Sequence, residues 1–202
     1  MICHKRFYNF INKIDYIINN GIIGSIVECG VWRGGAICFA KKYLNIMNEN
    51  RNVYAFDSFE GLPEPNDNYD FLIDDKTLAK NICGTKDDIN NNCLASINDF
   101  YETVELCNIQ RDDIIIKKGW FKDTCKNFNE QIAILRFDGD WYESTMDVLN
   151  NLYDKVVNGG VIIFDDYNYW NGNKIAVDEF MKDKEHKKFN FTEDSKEMWF
   201  IK

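Results

Sequence analysis

The chain has 202 residues and a formal net charge of −9 at pH 7, with 33 acidic and 24 basic side chains. This length suits one substantial α/β domain, and this charge disfavours a nucleic-acid or anionic-membrane surface, which normally needs a basic patch. No run of about 18 apolar residues and no signal-peptide block is found, so we expect a cytoplasmic protein that acts on a small molecule, without membrane insertion.

The seven cysteines and two histidines show none of the usual catalytic or metal-binding patterns. No Cys-x-x-Cys pair is found, and several cysteines stand in apolar runs, so we expect reduced thiols. His4 and His186 stand in segments without a nucleophile signature, and we expect surface or packing roles for both. The sequence therefore disfavours a thiolate zinc site and a histidine-based hydrolase triad.

A glycine-rich turn follows a first helix that the apolar spacing predicts over residues 5–20. β-branched residues lead into residues 27–36, VECGVWRGGA, in which Gly30, Gly34 and Gly35 fall close together before the next helix. A strand that passes through glycines into a helix N-terminus is typical of ligand platforms in nucleotide-binding α/β folds. An ordinary strand-to-helix turn has the same pattern and remains the alternative.

The second predicted strand, residues 52–57, ends in a carboxylate. Asp57 stands about 20 to 30 residues past the glycines, where an acidic side chain binds a ribose diol in doubly wound sheets. A turn-initiating aspartate before Ser58 is the alternative. Residues 58–92 contain both prolines and are too long for a simple connection. We expect an active-site lid there, with a disordered or dimer-contacting loop as the alternative.

Strands and helices alternate through the rest of the chain, which predicts a parallel sheet with right-handed crossovers. The glycines at positions 159 and 160 are expected to end a helix before the fifth strand. Further strands are predicted at residues 113–118, 131–137 and 161–164, further helices at 35–47, 94–106, 142–157 and 174–184, and a closing hairpin at 189–191 and 198–201.

Carboxylates follow the fourth and fifth strands of the predicted sheet. Asp138 and Asp140 come after the fourth strand, and Asp165 and Asp166 come after the fifth. Ligands of open parallel sheets bind beyond the carboxyl ends of the strands, so these side chains should meet the glycine turn. Crowded carboxylates raise one another's pKa unless a cation compensates, and Mg²⁺ prefers oxygen ligands. The pattern predicts a magnesium site, with helix and turn capping as the alternative.

Five motifs, in this order, resemble the macrocin O-methyltransferase family over about residues 26–180: VECGVWRGGA, VYAFDSFEGLPEP, GWFKDT, LRFDGDWYEST and GGVIIFDDY. The resemblance implies a Rossmann-like class I methyltransferase fold, with helices on both faces of a mostly parallel seven-stranded sheet and an antiparallel C-terminal hairpin. It implies a single methyltransferase domain over residues 1–202 with a lid insertion at about 58–92. It also implies methyl transfer from S-adenosylmethionine to a sugar hydroxyl with Mg²⁺.

Position by position, the resemblance implies a metal site and a cofactor site. Asp138, Asp165 and Asp166 would hold Mg²⁺. Asp138, or else Asp140, would assist removal of the acceptor proton, because Trp141 stands where catechol-type enzymes have a lysine base. The cofactor would lie against Glu28, Gly30, Gly34, Gly35, Asp57, Ser58, Gly119, Trp120, Phe121 and Asp123.

The acceptor cannot be read from these motifs. A free sugar, a nucleotide-linked sugar, a polyketide-borne sugar or a polysaccharide end would each fit the same residues, and a second copy of the chain could complete the site. Methylation of a catechol or phenol is one alternative, which the missing lysine disfavours. A non-catalytic cofactor-binding protein is another, which the intact carboxylate pairs disfavour.

Overall fold

The structure, a computed structural model, describes residues 2–83, 93–184 and 188–202. His186 and residues 84–92 of the predicted lid lie outside these ranges. The helices are α1 (His4–Asn19), α2 (Gly35–Ile46), α3 (Ile97–Leu106), α4 (Phe121–Thr124), α5 (Tyr142–Leu152) and α6 (Asn171–Met181). The strands are β1 (Ser25–Cys29), β2 (Val53–Asp57), β3 (Ile115–Lys118), β4 (Ile132–Phe137), β5 (Val156–Phe164), β6 (Asn190–Phe191) and β7 (Met198–Ile201).

The seven strands of the described residues form one sheet in the order β3-β2-β1-β4-β5-β7-β6. The strands β1 to β5 run parallel to one another, whereas β7 is antiparallel to both β5 and β6. This confirms the predicted mostly parallel sheet with an antiparallel hairpin at its edge. The strand order reverses between β1 and β4, and a crevice forms at the carboxyl ends of the strands at such a switch point.

Apolar side chains cover both faces of the sheet, because alternate residues of a strand point to opposite sides. On one face, Ile26 of β1 packs in a cluster with Phe10 of α1 and Ile37 of α2. On the other face, Val27 of β1 packs in a cluster with Leu149 of α5. Burial on both faces explains why the central strands are almost continuously apolar.

The helix before the fifth strand ends earlier than the sequence predicts. The prediction ran to residue 157, but α5 ends at Leu152 and a 3₁₀ turn, Tyr153–Lys155, connects it to β5. Val156 already pairs with Ile132 of β4. Gly159 has φ +81° and lies inside β5, next to a shift in its register with β4, rather than at a helix end. The apolar residues at 152, 153 and 156 fit a helical stripe and a strand equally well, which explains the error.

The described part of the predicted lid, residues 58–83, packs against the first turns of α5 and α6. Asp70 Oδ1 accepts a hydrogen bond from Tyr142 N at 2.9 Å, and Trp141 Nε1 donates to Pro63 O at 3.0 Å. Leu72 forms an isolated antiparallel bridge with the residue that precedes α6. These contacts hold the segment beside the carboxyl ends of β4 and β5; that it opens and closes over a ligand stays a prediction.

Across the described ranges, none of the helices is long and apolar enough to cross a membrane.

Candidate functional site

A cavity of about 560 Å³ opens at the carboxyl ends of the four strands β3, β2, β1 and β4. The segments that follow these strands build much of its wall, and the start of the predicted lid adds Leu62 and Pro63. The cavity thus lies where the strand order predicts a ligand site. Six of the ten residues expected to contact a cofactor line it: Gly30, Asp57, Ser58, Gly119, Trp120 and Phe121.

The glycine turn after β1 lies directly against the end of β4. Gly30 has φ +85°, and a Cβ atom placed on it would lie 1.8 Å from the carbonyl oxygen of Asp138. The backbone of Asp138 is itself fixed, since its N–H donates to Cys29 O at 2.8 Å. Glycine is therefore needed here for the close approach of the two chain segments. That approach brings the turn next to the first carboxylate of the DGD motif.

Asp57 holds the glycine turn in place. Its Oδ2 accepts hydrogen bonds from Val31 N at 2.8 Å and from Trp32 N at 2.9 Å, and its Oδ1 accepts one from Phe59 N at 2.7 Å. Burial raises the pKa of Asp57, and the three N–H donors oppose this rise. Asp57 thus forms the turn that the alternative interpretation expected, and it also lines the cavity. Its binding to a ribose stays a prediction.

The other four residues expected at the cofactor do not lie on the cavity wall, and their cofactor role stays a prediction. Glu28 is 2% exposed and its Oε1 lies 2.5 Å from a guanidinium nitrogen of Arg136. Gly34 is buried, and a Cβ atom there would lie 2.5 Å from the ring of Phe100. Gly35 and Asp123 are exposed.

Three carboxylates converge at the ends of β4 and β5. Asp138, Asp140 and Asp166 each offer one oxygen atom, and these atoms lie within 4.8 Å of one another. Burial, with repulsion between the carboxylates, raises the pKa of Asp140 to about 7 and that of Asp166 well above its usual value. A partly buried cluster of carboxylate oxygens is a donor set that suits a hard divalent cation such as Mg²⁺. The residues present therefore fit the predicted metal.

Asp165, which the resemblance places among the metal ligands, contacts two arginines instead. Its Oδ2 accepts a hydrogen bond from Arg6 Nη1 of α1, and its Oδ1 accepts one from Arg136 Nη2 at 2.5 Å. Arg6 Nη1 also lies 3.7 Å from Asp166 Oδ1. The structure thus groups Asp140, rather than Asp165, with the other two carboxylates. Each oxygen of Asp165 retains a second lone pair, and its role as a ligand stays a prediction.

Arg136 is a residue near the functional site that was not predicted from the sequence. It is the penultimate residue of β4 and has no exposed surface, and its Nη1 is 3.1 Å from Asp138 Oδ2 as well as 2.5 Å from Glu28 Oε1. The guanidinium therefore compensates the charge of three carboxylates, those of the buried Glu28 and Asp165 and that of the partly exposed Asp138. A usable signal was present, because Arg136 is the one charged residue inside the apolar strand IAILRF.

Several further residues on the cavity wall were not expected from the sequence, and four of them carry charged or aromatic side chains. Trp32 and Arg33 lie within the glycine turn, and Glu143 and Asp147 lie one turn apart on α5. The spacing of the last two, i and i+4, places them on one helix face and was the available signal.

Comparison with known proteins agrees with this architecture. The profile of the family described as macrocin-O-methyltransferase (TylF) matches residues 1–202. The chain is 36% identical over 183 residues to demethyldecarbamoylnovobiocin O-methyltransferase from Streptomyces niveus, an alignment that covers 89% of this chain and 66% of that protein. It is 33% identical over 170 residues to 8-demethyl-8-(2,3-dimethoxy-alpha-L-rhamnosyl)-tetracenomycin-C 4'-O-methyltransferase from Streptomyces olivaceus, covering 83% of this chain and 62% of that protein.

The chain thus spans less than two thirds of the length of these curated relatives. Its fold is similar to that of the O-methyltransferase NovP, with a TM-score of 0.83 and 31% sequence identity over 98% of this chain and 79% of that one. This similarity confirms the class I methyltransferase architecture that the motifs imply. By profile, sequence identity and fold, the chain belongs to the macrocin O-methyltransferase (TylF) family.

Proposed function

We propose that the protein is an O-methyltransferase that uses S-adenosylmethionine and a divalent metal to methylate a sugar hydroxyl. One observation carries the proposal: Asp138 and Asp140 line the donor-sized cavity and also belong to the carboxylate cluster. A methyl donor in the cavity and an acceptor at the cluster would therefore lie side by side. Family membership supports methyl transfer, and the name of the Streptomyces olivaceus relative, which includes a rhamnosyl group, supports a sugar acceptor.

The donor would lie across the ends of β3, β2 and β1. Gly119, Trp120 and Phe121 would contact its adenine, and Asp57 would accept hydrogen bonds from its ribose. Gly119 N donates to the carbonyl oxygen of Asp57 at 2.9 Å, which fixes these two parts of the wall relative to each other. Oδ1 of Asp57 accepts one hydrogen bond within the described residues and retains a lone pair for a hydroxyl group.

Asp138 and Asp166 would hold the metal, because they belong both to the set that the resemblance implies and to the cluster in the structure. Two carboxylates compete for the third position: Asp140, which completes the cluster, and Asp165, which the resemblance implies. Bound there, Mg²⁺ would stabilise negative charge on the acceptor oxygen. Asp138 and Asp140 face the cavity and are the candidates to take the acceptor proton.

Orientation of the reacting atoms would account for much of the rate enhancement of methyl transfer. The oxygen, the methyl carbon and the sulfur must lie in line, with the oxygen about 3 Å from the carbon, and a rigid site gains most from such alignment. The short backbone contacts that join Gly30, Asp57 and Asp138 make the wall rigid at this point. The docked segment 58–83 would exclude water from one side.

The proposal is tested by binding and methyl-transfer measurements on the whole chain. Isothermal titration calorimetry with S-adenosylmethionine, with and without Mg²⁺, tests the donor site, and mass spectrometry of methyl transfer to free, nucleotide-linked and natural-product sugars tests the acceptor. We expect donor binding without metal and loss of methyl transfer in the presence of EDTA. Absence of donor binding refutes the proposed function, and full activity in EDTA refutes the metal.

A panel of aspartate-to-asparagine variants separates the ligands from the base. Asp166→Asn should weaken Mg²⁺ binding by about tenfold or more while donor affinity changes by less than that factor. The third ligand is whichever of Asp140→Asn and Asp165→Asn shows the same loss of Mg²⁺ affinity. A variant that binds both Mg²⁺ and donor but transfers no methyl group identifies the base. Asp112→Asn, at an exposed position away from the cavity, is the control and should resemble the wild type.

A further inference from the structure

The negative charge of the cavity wall is unfavourable for one group of the methyl donor, its carboxylate. Five carboxylates line the cavity, from Asp57, Asp138, Asp140, Glu143 and Asp147. S-adenosylmethionine carries a positive sulfonium, a positive ammonium group and a negative carboxylate. The acidic wall suits the two cationic groups, but it repels the carboxylate, so a positively charged side chain is needed wherever that carboxylate lies.

Within the described ranges, the cationic residues on the wall are Arg33 and Lys122. Lys122 follows Gly119 at the end of β3, where the adenine would lie. It is also close enough to Asp147 to oppose the rise in the pKa of that carboxyl, which burial causes. Arg33 lies within the glycine turn that follows β1, the central strand between β2 and β4. This is the end of the cavity where the methionine part of the donor would lie.

Two other arginines near the carboxylate cluster, Arg136 and Arg6, already form ion pairs within the protein. Arg136 is fully buried between Glu28 and Asp165, and Arg6 is paired with Asp165 and with Asp194, whose Oδ2 accepts from Arg6 Nε at 2.8 Å. Neither guanidinium lines the cavity. A second anion placed there would have to displace a buried ion pair, which is costly.

The N–H groups of the Arg33 guanidinium, by contrast, are available to bind an anion. Its side chain is 52% exposed, and its Nη1 lies 3.7 Å from Asp99 Oδ1, which is too long for a hydrogen bond. The other oxygen of Asp99 is occupied by the N-cap of α3, where it accepts from Ser96 N at 2.7 Å. Among the residues placed by the structure, Arg33 donates no side-chain hydrogen bond. The guanidinium rests over the ring of Trp32, 5.4 Å from the ring centroid, which favours an orientation without using its N–H groups.

We propose that Arg33 binds the α-carboxylate of the methyl donor. A guanidinium group presents paired N–H donors that match the two oxygens of a carboxylate, whereas a lysine offers a point charge. Arg33 is thus a donor-binding residue that selects for the complete methionine part. The inference rests on the proposed function, because it takes the cavity to be the donor site.

The test compares donors with and without the carboxylate. Isothermal titration calorimetry of the whole chain measures affinity for S-adenosylmethionine and for decarboxylated S-adenosylmethionine. The wild type should bind the complete donor about tenfold more tightly or better, which is the usual effect of a hydrogen bond to a charged group. Arg33→Gln should remove this preference and leave affinity for the decarboxylated ligand almost unchanged. Arg33→Lys should keep part of it, and the matched variant Lys122→Gln should keep it fully.

The outcomes distinguish this inference from the proposed function. If the wild type binds neither ligand, the proposed function fails. If the wild type binds both ligands equally, or Arg33→Gln weakens both by the same factor, or Lys122→Gln removes the preference, then Arg33 does not bind the carboxylate. The wild-type comparison needs no variant, so the inference remains refutable even if Arg33→Gln fails to fold.

Discussion

The guanidinium of Arg136 lies 2.5 Å from the carboxylate of Glu28, in register across the parallel strands β4 and β1, and both side chains are at most 2% exposed. A second ion pair of the same length, Arg111 with Glu105, lies on the surface, where both side chains are more than half exposed. The two pairs differ in burial and not in the distance between their charges. Their contributions to stability should therefore differ strongly, because water screens only the second pair.

Replacing Arg136 tests the buried pair. Arg136→Met leaves Glu28 without the cation that compensates it and leaves Asp165 with Arg6 alone, and we expect a loss of about 3–5 kcal/mol in the free energy of unfolding. Arg111→Met, the control, should change it by no more than about 0.5 kcal/mol. Urea denaturation followed by fluorescence measures both values. Similar losses in the two variants would contradict the assignment of Arg136 as the centre of a buried charge network.

Features that depend on the local pattern could be predicted from the sequence, whereas features that depend on contacts between distant segments of the chain could not. The alternation of apolar strands and helices was sufficient to predict the sheet and its hairpin. The direction of Glu28 was not predictable, because it depends on Arg136, 108 residues away, being its neighbour in the parallel register. The contact of Asp165 with α1 was also not predictable, because its partner Arg6 lies 159 positions from it in the chain. The position of a carboxylate after a strand predicts that it lies at the carboxyl edge of the sheet. Whether it faces the cavity depends on its ion pairs with residues that are distant in the chain.

The two glycines that flank the turn after β1 should respond differently to alanine. In Gly30→Ala the new Cβ atom would meet Asp138 O at 1.8 Å, and φ +85° is unfavourable for alanine, so we expect a loss of more than about 2 kcal/mol. In Gly35→Ala the Cβ atom meets nothing within 4 Å at the first residue of α2, so stability should stay level or rise by up to about 1 kcal/mol. Thermal unfolding checks both, and equal melting temperatures would rule out the close approach to Asp138.

Docking of the segment 58–83 depends on a buried aspartate. Asp70 is 2% exposed and accepts hydrogen bonds from Asn66 N at 2.7 Å and from Tyr142 N at 2.9 Å. Asp70→Ala removes both acceptors, and we expect the segment to open more readily, by about 2–4 kcal/mol, while the sheet stays protected. Hydrogen exchange with mass spectrometry measures this. The control is Asp67→Ala, at a half-exposed position paired with Lys80; slower or unchanged exchange in Asp70→Ala would refute the role of Asp70.

That role was not predictable from the sequence, although the segment itself was. Asp70 belongs to the acidic run DNYDFLIDD, and such a run usually faces solvent. Only the fold brings the N-terminal turn of α5, with its unpaired N–H groups, next to this one carboxylate.

A second buried acid, Glu197, makes stability depend on pH. It has no exposed surface, its Oε1 accepts from Asn9 Nδ2 at 2.7 Å, and its Oε2 has no hydrogen-bond partner in the described parts of the chain. Burial raises the pKa of Glu197 from 4.5 to about 8, with repulsion from Asp165 adding to this and Arg136 opposing it. The folded protein therefore keeps this proton up to about pH 8, whereas the unfolded chain releases it near pH 4.5.

The sign of the pH effect follows from this proton balance. Between pH 4.5 and 8 the folded state binds more protons than the unfolded state, so stability is greatest below this range and falls as pH rises through it. Glu197→Gln removes the titrating group but keeps an acceptor for Asn9, and it should flatten the decline by an amount on the order of a few kcal/mol. Glu28, Asp140 and Asp166, whose pKa values burial also raises, should maintain a smaller decline in the variant. Urea denaturation at pH 5, 6.5 and 8 measures the slopes, with Glu193→Gln at a surface ion pair as the control. A wild-type stability that rises over this range, or an equal slope in Glu197→Gln, would show that Glu197 is ionised in the folded protein.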